Sequence, residues 1–204
     1  MACAALWAQT SPTKIYVDDG FNNYGHLLKW KAEKETVLEI GCGDGFITRE
    51  ILYKRYGDHI KKLIAIDKLD SMIEYAKSFN KNESIDFVTM DIKDQNSIEK
   101  MKGCFDHIFT FYTIHWITDS RSLMRNFYDI LKPSGQVFIS IMVNSAVHES
   151  FRRLSKKGVW CKYVPVEQIF ADYTNDPVKY VTTIMQDAGF KVVLCTRVKD
   201  SGIV

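Results

Sequence analysis

The chain has 204 residues, of which 46% are hydrophobic and 25% charged, an ordinary globular composition with room for one domain and hardly for two. A formal charge of +2 is too small to argue for nucleic acid or a membrane surface as partner. The cysteines Cys3, Cys42, Cys104, Cys161 and Cys195 are odd in number and lack Cys-x-x-Cys spacing, which argues against a disulfide scaffold and against zinc, and fits a reducing compartment.

Ala2 to Ala8 are apolar but follow no basic residue and stop too soon for a secretory core, and no stretch nears the roughly 20 apolar residues that span a bilayer. A cytoplasmic protein is expected. Residues 1–36 are weakly patterned: Pro12, Asp18, Asp19, Gly20 and Gly25 interrupt any long helix, although 24–31 suits a short one. They are read as a partly helical N-terminal segment ahead of a single domain over 37–204.

From residue 37 short apolar runs at 37–40, 63–66, 85–88, 105–111, 136–143 and 190–198 alternate with helix-period segments at 46–56, 70–79, 94–101, 119–131, 146–156 and 176–188. Several runs are apolar on both faces, as strands buried between helix layers must be. Leu123, Phe127, Ile130 and Leu131 share one helical face; Asp70, Asp119 and Asp176 stand where N-caps belong, and Gly189 stands at a C-terminal cap. The alternation predicts an α/β, Rossmann-like fold: an open, mostly parallel twisted sheet with helices on both faces.

In such a sheet a ligand binds beyond the carboxyl ends of the strands, where strand order reverses. Three strand ends carry suitable residues. Glu39-Ile40-Gly41-Cys42-Gly43-Asp44-Gly45 follows the first run, and its glycines let backbone N–H groups approach a ligand. Asp67, followed by Lys68, closes the second run and can accept hydrogen bonds from two ribose hydroxyls. Asp91 closes the third, placed to accept from an adenine amino group while Ile92 packs on the ring. A dinucleotide turn wants a third glycine where Phe46 stands, and the acids Glu39 and Asp44 are unfavourable beside a pyrophosphate but favourable beside an ammonium and a sulfonium. The expected cofactor is therefore S-adenosylmethionine (SAM) rather than a nicotinamide dinucleotide, with no metal.

These motifs, with Leu131-Lys132-Pro133-Ser134-Gly135-Gln136, resemble the class I SAM-dependent methyltransferases. The run Phe105-Asp106-His107-Ile108-Phe109-Thr110-Phe111-Tyr112-Thr113-Ile114-His115-Trp116-Ile117, and the block from Asp176 to Phe190, are similar to the insect juvenile hormone acid methyltransferases. The resemblance implies methyl transfer to the carboxylate of a small apolar acid, sesquiterpenoid or fatty. It implies that Trp116 helps to place the acid, that His115 holds the loop or contacts the acceptor, and that Tyr112 lies beside the cofactor's methionine part. Phe111 and Ile114 are read as core, and Trp116 is otherwise a core tryptophan. The apolar stretch from Met142 to Phe170 helps, in such enzymes, to cover an elongated acceptor.

Two departures stand out. The family carries a Gln in a Leu-Tyr-x-x-Ser-Asn-x-x-Gln-like context, whereas Leu6 to Lys14 has no Gln at the matching place and Gln9 falls several residues early. The sequence ends at Val204, just after the sixth run, so a final antiparallel strand is expected to be lacking, leaving a sheet edge as a candidate for self-association. The alternatives are a methyltransferase for another small acceptor and an inactive SAM-binding paralogue.

Overall fold

The computed structural model describes residues 13–143, 146–160, 162 and 176–198. They fall into two units: one runs to Ile114 and resumes over Asp129–Ile141, and the other comprises His115–Tyr128 and the residues from Met142 onward.

The first unit holds five strands: β1 (Glu35–Ile40), β2 (Ile60–Asp67), β3 (Ile85–Thr89), β4 (Phe105–Phe111) and β5 (Leu131–Ser140). All pair in parallel, in the order β3-β2-β1-β4-β5, so the sequence of strands reverses between β1 and β4. Ile40 lies beside Ile66 on one side and Thr110 on the other, and Asp67 lies beside Thr89, which brings the carboxyl ends of four strands to one edge. Both faces are dry, as a parallel sheet requires: Val37, Leu63, Ala65, Phe87, Phe109 and Phe111 join one core, while Leu38, Ile40, Ile66 and Ile108 are equally buried. The open, parallel α/β architecture is the one expected.

Local structure departs from expectation in four places. Residues 13–24 form a continuous helix, α1 (Thr13–Tyr24), straight through Gly20. Val17 and Phe21, one turn apart, bury themselves in the core, and Phe21 touches the rings of Tyr56, Phe109, Phe111 and Phe138. The helix after β1, α2 (Ile47–Tyr53, continued by Lys54–Tyr56), is π-wound over its first seven residues. In α3 (Asp70–Phe79), Asp70 is the first helical residue rather than the cap; Leu69 holds the cap position and its N–H donates to Asp67 Oδ1. Finally, β5 opens at Leu131, and a register jump between Leu131 and Gln136 absorbs the Pro133-Ser134-Gly135 turn, with Ser134 at φ 67°. The remaining helix of this unit, α4 (Gln95–Met101), is capped by Asp94, whose carboxylate accepts from the N–H groups of Asn96 and Ser97.

α5 (Ser120–Ile130), of which Ser120–Tyr128 belong to the second unit and Asp129 and Ile130 to the first, begins after Asp119, which accepts from Ser122 N–H, and it buries Leu123, Met124 and Phe127. α6 spans Ala146–Ser155. α7 (Pro177–Asp187) has Asp176 as its cap, accepting from Lys179 N–H, and Pro177 at its first turn. It closes as a Schellman turn: Gly189, at φ 105°, donates to Gln186 O and Phe190 donates to Met185 O. An alanine Cβ at Gly189 would come within 2.9 Å of the Tyr128 ring.

The sixth run is a correction. Residues 190–198 form no strand, and Val193, Leu194 and Val198 are exposed; an apolar run becomes a strand only when a neighbour supplies its hydrogen bonds. Of the apolar stretch from Met142 to Phe170, residues 163–170 lie outside the described residues. No helix among the described residues is long and apolar enough to cross a membrane.

Candidate functional site

Glu39 and Ile40 end β1 next to the strand-order reversal, and the chain must then turn sharply. Gly41, Gly43 and Gly45 make that turn at φ of 75°, 53° and 70°, a region open to glycine at little cost. Gly41 and Cys42 both donate their N–H to Ile66 O, and Gly45 donates to Cys42 O. The turn is thereby pinned to the end of β2. There Asp67 grips it again: Oδ2 accepts from Gly43 N–H at 3.1 Å and Oδ1 from Leu69 N–H at 3.0 Å. Each oxygen keeps a lone pair for a further donor. Lys68, spanned by this second bond, is exposed.

Met90 donates to Asp67 O, which sets the end of β3 beside that of β2 and brings Asp91 alongside. Asp91 Oδ1 accepts from Lys93 N–H and the residue stays partly open, while Ile92 is buried. Across the reversal, Tyr112 leaves β4 at φ 51°, a strained value for a tyrosine, with its N–H on Ser140 O. The first unit thus brings Glu39, Gly41, Cys42, Gly43, Asp44, Gly45, Asp67, Lys68, Asp91, Ile92 and Tyr112 to the carboxyl ends of β1 to β4. His115 and Trp116 belong to the second unit. His115 is buried, and Trp116 is 46% exposed, unlike a core tryptophan; Phe111 and Ile114 are buried.

The charges of the turn need one revision. Glu39 is buried, and burial pushes its carboxyl up to about 7, with the Asp44 carboxylate acting in the same direction and the Thr48 hydroxyl opposing. It is therefore not a fixed anion at neutral pH, as its place in the sequence suggests. Asp44 caps Phe46 N–H through Oδ1. The Cys42 thiol is held well above its usual range by burial, reinforced by Glu39 and Asp67, so it is no nucleophile.

Four residues that the sequence did not single out complete the turn. Thr113 donates from Oγ1 to Gly41 O, and a Cβ at Gly41 would lie 2.1 Å from that oxygen. A Cβ at Gly45 would meet the Phe87 ring and Arg49. Arg49 Nη1 reaches the carbonyls of Asp44 and Ala76, and Thr48 is fully buried. Only the adjacency of β1 to β4 would reveal Thr113.

A family model for a methyltransferase domain matches residues 31–189. The chain belongs to the methyltransferase domain family. It is 29% identical over 173 residues to the juvenile hormone acid O-methyltransferase of Bombyx mori, covering 82% of this chain and 60% of that protein. It is also 28% identical over 155 residues to malonyl-(acyl-carrier protein) O-methyltransferase 1 of Ilyobacter polytropus, covering 70% and 55% respectively. The chain thus spans about 60% of the Bombyx protein's length. Among solved structures, a chain in the complex of the Haloferax volcanii Trm112 methyltransferase activator with a methyltransferase superposes with a TM-score of 0.60 at 19% identity, over 91% of this chain and 75% of that one. The Haemonchus contortus phosphoethanolamine N-methyltransferase 2, in complex with phosphomonomethylethanolamine and S-adenosylhomocysteine, gives 0.58 at 20% identity, over 84% and 37%. These two likenesses show the fold.

The cofactor of this methyltransferase domain is SAM, and the residues at the turn fit it. Asp67 offers two acceptors for a ribose diol, and Asp44 and Glu39 offer negative charge or acceptors near an ammonium and a sulfonium. Among the described residues no group of three or more His, Cys, Asp or Glu side chains could hold a metal ion.

Proposed function

We propose that this domain transfers a methyl group from SAM to the carboxylate of a small apolar acid of sesquiterpenoid or fatty type. The observation that carries the reading is the turn at the strand-order reversal, where Gly43 N–H and the Asp67 carboxylate are locked together beside Asp91 and Tyr112. The acceptor class is supported by likeness to enzymes named for O-methylation of juvenile hormone acid and of malonyl-(acyl-carrier protein).

Bound at the turn, SAM supplies a methyl group made electrophilic by its sulfonium. In this reading Asp67 accepts from the ribose hydroxyls, Asp91 from the adenine amino group, and Ile92 packs against the ring. Tyr112 flanks the methionine end. Trp116 offers its indole N–H to the acceptor carboxylate, and His115 holds the loop that carries it. A carboxylate oxygen bonds to the methyl carbon as the carbon–sulfur bond breaks and its electron pair stays on sulfur. The nucleophile is already ionised at neutral pH, so no general base is required, and orientation and desolvation supply the acceleration.

Calorimetry with SAM and S-adenosylhomocysteine, followed by transfer of labelled methyl to farnesoic acid and juvenile hormone acid, tests both levels. Asp67→Ala is expected to weaken SAM binding by about tenfold or more, the loss of two charge-assisted contacts. Trp116→Ala is expected to leave SAM binding intact and to lose turnover. A chain that does not bind SAM at millimolar concentration overturns the reading; one that binds SAM but methylates no acid either has another acceptor or is an inactive SAM-binding paralogue.

A further inference from the structure

Tyr112 leaves β4 in the left-handed region, at φ 51°, which a bulky side chain occupies only where the surrounding structure holds it there. Two hydrogen bonds do so. The Tyr112 N–H donates to Ser140 O at 2.8 Å, on the neighbouring strand β5. The Thr113 hydroxyl turns back to Phe111 O at 3.0 Å and so closes a short ring of chain around Tyr112. A local bond of this kind, from a threonine to nearby backbone, favours a turn over continued strand. Phe111 before it and Ile114 after it are buried, which fixes both ends of the segment.

The same hydroxyl lies 3.2 Å from Gly41 O, across the strand-order reversal. It has one proton for two carbonyls, so it ties the exit of β4 to the first residue of the glycine turn as well as to its own backbone. The packing is equally close. A Cβ at Gly41 would stand 2.1 Å from Oγ1, 2.2 Å from Cγ2 and 2.6 Å from Cβ of Thr113. Thr113 therefore occupies the space that the first glycine leaves open. Gly41 in turn is pinned to β2 through its N–H on Ile66 O at 2.7 Å. The separation of Tyr112 from the glycine turn is thus set by a packed, hydrogen-bonded contact.

We propose that Thr113 is a positioning residue of this site: its hydroxyl holds Tyr112 in the left-handed conformation and sets that residue against the glycine turn. The role is exerted through Tyr112, and it rests on the methyl-transfer reading above, in which Tyr112 flanks the methionine end of SAM. Methyl transfer tolerates only a narrow range of distances and angles between carboxylate, carbon and sulfur. A Tyr112 free to return to negative φ lowers the fraction of bound molecules that meet it. The ribose and adenine contacts of Asp67 and Asp91 do not depend on this hydroxyl.

Thr113→Val keeps the branched shape seated on Gly41 and removes the hydroxyl, whereas Thr113→Ser keeps the hydroxyl and sheds a methyl group. Crystal structures of the two variants read the φ of Tyr112, and kcat and KM are measured with farnesoic acid. Affinities for S-adenosylhomocysteine and for 5′-methylthioadenosine, which lacks the amino-acid end, are titrated alongside. In Thr113→Val, Tyr112 is expected at negative φ and kcat about threefold to tenfold lower, the worth of one hydrogen bond, with methylthioadenosine affinity unchanged. The loss falls on kcat and not on KM for the acid, and Thr113→Ser restores both the positive φ and the turnover. A merely structural role would lower the unfolding midpoint of Thr113→Val and leave its kcat at the wild-type value, which overturns the proposal. So does a Tyr112 that keeps positive φ in Thr113→Val, or a Thr113→Ser as slow as Thr113→Val. Where the wild type binds S-adenosylhomocysteine but does not methylate the acid, the two nucleosides replace kcat: a fall for S-adenosylhomocysteine alone supports the proposal, and an unchanged ratio overturns it. Failure of the wild type to bind S-adenosylhomocysteine overturns the methyl-transfer reading itself, while the φ of Tyr112 in Thr113→Val still decides whether the hydroxyl holds it. Should Thr113→Val not fold, Thr113→Ala against Thr113→Ser carries the same comparison, equal φ and equal kcat for the two overturning the proposal.

Discussion

An alanine at Gly41 meets two separate costs. Its backbone sits at φ 75°, where a side chain adds about 1–2 kcal/mol, and its Cβ would press on Thr113 at 2.1 Å, where overpacking typically adds about 1–3 kcal/mol. Gly41→Ala is therefore expected to lower the unfolding free energy by about 2–5 kcal/mol in urea titration. The two costs separate in a double-mutant cycle. Thr113→Gly should recover the steric part and leave the backbone part, giving a favourable coupling between the two changes. Additive effects would mean that the loop shifts freely and that Thr113 does not brace it. The glycines were legible in the sequence because a left-handed turn leaves its mark as glycine. Asp67 and Asp91 were legible because an acid ending an apolar run has few structural reasons to be there. Thr113 and Arg49 were not, since each acts across a contact that depends on which strands are neighbours. The raised carboxyl of Glu39 was not legible for a related reason: an acid in a sequence looks ionised, and only its burial reveals the opposing cost.

At the scale of elements, five of six apolar runs became strands and every helix-period segment lying within the described residues became helical. The failures are instructive. α1 carries two acids and a glycine in mid-helix, and only Val17 and Phe21 mark its inner stripe, too little periodicity to announce a helix. The core supplies what propensity lacks, through the contacts of Phe21 with four rings. Residues 190–198 show the converse: an apolar pattern without a pairing partner. The account of α1 makes Gly20 a cost and not a requirement. Its φ is not positive, and the nearest atom to an added Cβ is Phe138 Cζ at 4.0 Å, an ordinary contact. Gly20→Ala is expected to stabilise the fold by about 0.5–1 kcal/mol without changing affinity for SAM. A destabilised variant in thermal melts would show that the helix approaches the sheet too closely for even a methyl group.

At the largest scale, stability against pH is shaped, among the described residues, by buried groups of opposite sense near the two ends of β1. At the entry end, burial holds the His107 imidazole below its ordinary 6.5, although Glu35 Oε2 sits 3.0 Å from its Nε2. Burial also works against the carboxylates there, yet contacts from Lys31 and His107 hold Glu35 low, and Lys132, Lys31 and Thr36 N–H hold Asp106 low. A depressed group contributes stability that is present above its unfolded value and is lost as pH falls. His107 therefore erodes stability from about pH 6.5 downward, and the two carboxylates deepen the loss below their ordinary values of 4.5 and 3.8. At the site end Glu39 is raised from 4.5 to about 7, so its contribution is complete below 4.5 and is lost as pH rises through 7. For this fully buried carboxyl that loss is on the order of 3 kcal/mol by pH 8. The two trends oppose one another between pH 4.5 and 6.5, which should give a shallow maximum in that interval with a fall on each side. Urea unfolding from pH 3 to 9 checks this: Glu39→Gln should remove the alkaline fall and leave the acid one, and His107→Gln should soften only the upper part of the acid one. A Glu39→Gln profile running parallel to wild type above pH 6 would show that Glu39 is ionised in the fold after all. The acidic turn would then meet a cationic ligand with a full charge, and affinity for SAM would be independent of pH across that interval instead of rising through 7.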